Sequence, residues 1–173
     1  MKRRQSIATV VSVLILSACA SYLAPHTNPN DPQAVVRAIS VKRDDFKKIT
    51  NYTGPNAASF SDALFIRAVK TDAGSMTYQI YVMHTYSGEW RFYNSTYDSK
   101  GTPLDTTLIS RDVITCAGSY GCTHQEHLGL NVSREYLEQN QQLGIRFKVS
   151  GRAGEEVFFI PPAYIRAFLA VAK

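Results

Sequence analysis

The chain has 173 residues, 45% of them hydrophobic and 19% charged, a balance that excludes wholesale disorder and leaves enough apolar side chain for one substantial core. The net charge of +5 is misleading, because three of the 19 basic residues (Lys2, Arg3, Arg4) sit at the start of the chain. The rest holds 16 basic against 14 acidic side chains, which removes the electrostatic argument for nucleic-acid binding.

Lys2, Arg3 and Arg4 precede an apolar run from Ile7 to Leu16, and Leu16-Ser17-Ala18-Cys19 follows. A positive start, a short apolar stretch and small residues before a cleavage point make a secretory signal peptide over 1–18. The tetrapeptide ending in Cys19 resembles the lipobox of bacterial lipoproteins. That resemblance implies cleavage before Cys19, a thioether lipid on its sulfur, and a membrane as partner. Ala20, where an Asp would direct retention in the inner membrane, points by the same resemblance to the outer membrane, with the folded part in the periplasm. After Arg3-Arg4 come Gln5-Ser6-Ile7 rather than the aromatic and leucine of a twin-arginine signal, which favours ordinary secretion. No other stretch approaches the 18 or so apolar residues of a bilayer span.

Residues 19–33 read as the lipidated cysteine and a tether, with Pro25, Asn28, Pro29, Asn30 and Pro32 and no apolar periodicity. A single β-rich domain is expected over 34–173. Asp31-Pro32 suits a helix start, although a strand through Val35 to Val41 fits as well. Lys42, Arg43, Asp44, Asp45, Lys47 and Lys48 form a mixed-sign run that reads as a solvated face. Leu64 to Lys70 is a strand, and Met76, Tyr78, Ile80 and Val82 alternate along a second one. Ser87-Gly88 suggests a hairpin into Glu89 to Tyr97, with Trp90 and Phe92 opposite in side to Glu89 and Arg91.

Thr106 to Cys116 and Cys122 to Val132 predict a second hairpin. Its two cysteines are expected to form a disulfide in an oxidising compartment, contributing about 2 kcal/mol in the chain-entropy model. With Cys19 lipidated, none of the three cysteines is left over. Ser133 caps a short helix near 134–141. Ile145, Phe147 and Val149 alternate in a strand that turns at Gly151–Gly154 into Glu155 to Ile160. Pro161-Pro162 then opens a helix with Tyr164, Ile165, Phe168, Leu169 and Ala172 on one face. Six or seven strands and two small helices predict a mainly β fold, an antiparallel β-sandwich or open barrel.

Residues able to do chemistry are few. His124 and Glu126 would share one face of an extended strand, roughly 7 Å apart, and could act as acid and base or bind a metal. The bland alternative is a pair of core-rim groups satisfied by hydrogen bonds. His84 is the one histidine placed to complete a metal site, and no HExxH, nucleophile elbow, phosphate loop or CxxC occurs. No cofactor or metal is therefore expected. Tyr81, Tyr93 and Tyr97 fall off the expected core face of the aromatic hairpin and are candidates for ligand contact. The leading expectation is a lipid-anchored, non-enzymatic envelope module, a binding or accessory module for another envelope component, with an envelope protein as the partner considered. Its alternatives are a metal-assisted or acid/base hydrolase of cell-wall material using His124 and Glu126, and a barrel that binds glycan or a small ligand.

Overall fold

A computed structural model describes residues 27–59, 61–118 and 121–173. The signal peptide, Cys19, most of the tether and His26 lie outside the described residues, as do Ser119 and Tyr120 in the loop between the two long strands. Over the described residues the fold is mainly antiparallel β, with three helices. Asp31 accepts hydrogen bonds from the backbone N–H groups of Gln33 and Ala34, and Pro32 takes the first helical position. Helix α1 (Pro32–Ala38) follows, and β1 (Ser40–Asp44) comes directly after it. The helix reading of this segment is therefore realised, whereas the strand alternative through Val35 to Val41 is not, because the chain is helical to Ala38 and becomes a strand only at Ser40.

A six-stranded sheet follows the order β1-β2-β3-β4-β7-β6, where β2 is Ile49–Thr53, β3 Ala63–Thr71, β4 Met76–Ser87, β6 Asp105–Cys116 and β7 Cys122–Val132. The smaller sheet runs β5-β8-β9, with β5 Tyr93–Asp98, β8 Ile145–Gly151 and β9 Gly154–Ile160. Alternation does what the pattern predicts in β4. Tyr78, Ile80, Val82, His84 and Tyr86 are buried, and the residues between them are at least partly exposed. Their face meets Leu64, Ile66 and Ala68 of β3 and Leu128 and Leu130 of β7, and together with Phe147, Val149 and Ile160 of the smaller sheet they form one core. Burying each such aliphatic side chain contributes about 1.5–3 kcal/mol.

Helix α3 (Pro162–Val171) closes the rest of the inner face. Tyr164 is fully buried, and its hydroxyl donates to the Pro55 carbonyl at 2.7 Å, over Gly54. Glycine is required at position 54, because a Cβ there would lie 2.1 Å from the Tyr164 hydroxyl oxygen. Helix α2 (Arg134–Asn140), capped by Ser133, buries Leu137 beside it. The hairpin of β6 and β7 is present, and Cys116 and Cys122, directly opposite one another, are joined by a disulfide.

The expected hairpin over 76–97 is not formed. Strand β4 pairs with β3 and β7, while β5 pairs with β8 in the other sheet. Residues 88–92 leave the sheet instead, and Phe92 adopts a left-handed backbone conformation, φ 53°, uncommon for a bulky side chain. The chain thereby crosses from one layer to the other. One consequence is that Tyr93, expected on the outside, is fully buried, whereas Tyr97 is indeed exposed.

Candidate functional site

Glu126 organises the crossing. Being on β7 two residues from His124 and four from Leu130, it faces the core, and it is completely buried. A carboxylate in that position needs donors on both oxygens. Oε1 accepts from the Tyr86 hydroxyl and from the Phe92 backbone N–H at 2.9 Å. Oε2 accepts from the Tyr93 N–H at 2.9 Å and from Arg111 Nε at 2.8 Å. Arg111 also donates to the Tyr93 carbonyl at 3.0 Å and lies over the Phe92 ring. The Tyr86 hydroxyl, in turn, accepts from the Arg91 N–H at 2.9 Å. Four donors fill the acceptor positions of one carboxylate, and three of the backbone N–H groups freed where the chain leaves β4 are satisfied by it or by its tyrosine partner.

His124 is the other half of the expected pair. It is buried between the rings of Trp90, stacked at 4.0 Å between centroids, and Tyr86 at 5.8 Å. Its Nδ1 is buried with no hydrogen-bond partner. The structure thus puts His124 and Glu126 on one face, as their parity requires, but gives them different surroundings, the histidine aromatic and the glutamate polar. General base work needs a carboxylate lone pair open to a substrate or water; in Glu126 those positions hold the chain crossing. Among the described residues no group of three or more His, Cys, Asp or Glu side chains has the geometry of a metal site.

His84 does meet Glu126, as its cross-strand neighbour, and belongs to a second polar group that sequence reasoning missed. His84 Nδ1 lies 2.9 Å from the Tyr93 hydroxyl, which accepts from Arg91 Nη1 at 2.7 Å. Arg91 also pairs with Glu156 of β9 at 3.2 Å, and His84 Nε2 lies 3.6 Å from the same carboxylate oxygen. Burial pushes the Tyr93 hydroxyl up to about 12, against the pull of Arg91. It also lowers His84 below its ordinary value, against Asp62, Glu156 and Glu126, which act to raise it, while Arg91 acts with burial. A histidine kept neutral in the folded state binds fewer protons than the unfolded chain between its folded value and about 6.5. Stability is therefore fully present above that window and falls as the pH drops through it. Urea titrations at steps from pH 7.5 to 5 should show this loss, and His84→Gln should flatten the profile across the same range.

The outer face of the six-stranded sheet is built differently. Phe65 stacks on Tyr81 at 4.6 Å, and the Arg67 guanidinium lies 5.2 Å from the Tyr81 ring centre. A polar row crosses four strands. Arg67 Nε donates to Gln79 at 2.9 Å, Gln79 to Asn131 at 2.7 Å, and Asn131 to Asp105 at 2.8 Å. Beside it the Tyr81 hydroxyl meets His127 Nδ1, and His127 Nε2 lies 2.9 Å from Gln125 Oε1. Gly129, opposite Tyr81, leaves the room that the Gln79 amide occupies. Among the described residues the three helices and the smaller sheet supply core residues on the opposite face, and of the side chains just named only Phe65 packs partly against that core. Of the candidate ligand-contact tyrosines, Tyr81 belongs to this face, Tyr97 lies on the smaller sheet and Tyr93 is internal, so they form no common site.

Comparisons with protein-family models, with curated proteins and with solved structures found no match.

Proposed function

We propose that this chain is a lipid-anchored, non-enzymatic protein of the bacterial envelope that binds another envelope protein. The anchor reading rests on Leu16-Ser17-Ala18-Cys19, the basic residues before it, and the outer-membrane preference that Ala20 suggests. One structural observation carries the binding reading. The carboxylate best placed for chemistry is consumed by architecture, while a broad sheet face of half-buried aromatic, amide and guanidinium groups has no helix or second sheet over it among the described residues. An antiparallel sheet can keep one face in water, and Tyr, Arg and planar amides suit protein recognition, where aromatic residues and arginine dominate contact energetics.

Affinity purification of the tagged, lipidated protein from gently solubilised envelopes tests this. A stoichiometric protein partner should accompany the wild type, and Arg67→Ala with Tyr81→Ser should reduce its recovery by about tenfold, the effect of roughly 1.4 kcal/mol at a contact site. A clean monomer, or a partner recovered equally by the variant, would overturn the proposal.

A further inference from the structure

On the side where the described chain begins, α1 and α3 border an open, shallow apolar groove of about 430 Å³, lined by Pro32, Val36, Ala167 and Ala170 together with Arg37 and Arg166. Val36 is 42% exposed within it. Arg166 donates to the Gln141 carbonyl at 2.8 Å, and Leu143, two residues further along that loop, is 77% exposed. Neither α1 nor α3 contains an acidic residue. The carboxylate before α1, on Asp31, is turned to the helix N–H groups at 2.9 and 3.2 Å.

We infer that this helical face rests on a bilayer surface containing anionic phospholipid. The inference builds on the lipid-anchor reading and specifies which side of the domain meets the membrane. Two observations select the occupant. Arginines beside exposed aliphatic side chains complement phosphate headgroups above acyl chains. The chain outside the described residues also restricts the geometry: eight steps separate Cys19 from Thr27 and span at most roughly 28 Å when fully extended. A turn at Asn28–Asp31 leads straight into α1, so a lipid on Cys19 tethers the domain through the helix that borders this groove.

The test uses the lipidated protein on vesicles of phosphatidylcholine with and without phosphatidylglycerol, carrying an environment-sensitive dye at V36C or, as a control on exposed β6, at T107C. Quenching by nitroxide-bearing lipids should be strong at position 36 on anionic vesicles and weak at 107. Each arginine near an anionic surface is worth about fivefold in partitioning. Arg37→Gln with Arg166→Gln should therefore lower the ratio of docked to undocked protein roughly 25-fold while the protein still floats with the vesicles. Equal quenching at the two positions, or quenching unchanged in the double variant, would overturn the docking face and leave the anchor standing. A protein that does not float refutes the anchor instead. The same position-36 probe, titrated with anionic vesicles, then decides the face alone, and no quenching overturns it.

Discussion

Glu126→Ala should cost about 4 kcal/mol, the range in which breaking a buried ion pair falls, and that is a large part of the 5–15 kcal/mol that holds a domain folded. The substitution orphans Arg111 Nε, two backbone N–H groups and the Tyr86 hydroxyl, of which the Tyr93 N–H and the Tyr86 hydroxyl are buried and the other two partly buried. Leaving a buried donor unsatisfied costs about 1–3 kcal/mol each before relaxation. Glu126→Gln preserves the shape but turns an amide N–H₂ toward groups that are themselves donors, so about 2–3 kcal/mol is expected. Urea denaturation measures both. A double-mutant cycle with Arg111→Ala should be strongly non-additive, because the second change removes a donor the first has already orphaned. A Glu126→Ala protein within 1 kcal/mol of wild type, as judged against the usual scale of surface substitutions, would mean that the carboxylate does not hold the crossing.

Gly151→Ala should be nearly as damaging for a different reason. Gly151 lies opposite Tyr93, and a Cβ added there would meet the Arg91 carbonyl oxygen at 2.2 Å and the Phe92 carbonyl carbon at 2.6 Å. These are backbone atoms already fixed by Glu126, so the clash has no flexible side chain to absorb it. About 3 kcal/mol is expected, the upper end for overpacking. The sole tryptophan of the chain, Trp90, lies next to the displaced residues, and its fluorescence should shift to the red as its stack on His124 loosens. Gly129→Ala makes the contrast. Its new Cβ also comes within 2.5 Å of other atoms, but they belong to the end of the Gln79 side chain, which can swing away, so a much smaller loss is expected.

The two substitutions also mark what could be read from the sequence. Alternation in β4 and β8, the capped helix after Ser133, the disulfide hairpin and the apolar face of α3 were all legible, since each depends on local periodicity or turn chemistry. The destination of the chain after Ser87 was not. Ser87-Gly88 followed by aromatic residues carries the same local signal as a hairpin. What redirects it is Glu126, 34 and 33 residues beyond the N–H groups it captures. Strands β1 and β2 were missed because none of their residues is fully buried, so no alternation announces them. For the candidate pair, parity placed His124 and Glu126 on the core face correctly. It could not supply the Tyr86, Arg111 and backbone donors that turn a possible base into a structural anchor.

The described residues form a two-layer domain in which the buried Glu126 holds the chain crossing, with one polar and aromatic sheet face and one basic, apolar helical face. The proposal that it belongs to the envelope rests on Cys19. Metabolic labelling with palmitate, followed by fractionation of the wild type and Cys19→Ala, tests that point most directly. The account predicts a labelled wild-type protein in the membrane fraction, and a variant that is unlabelled and released from the membrane or misplaced. A wild-type protein without label, or a Cys19→Ala protein with unchanged label and unchanged fractionation, would contradict it.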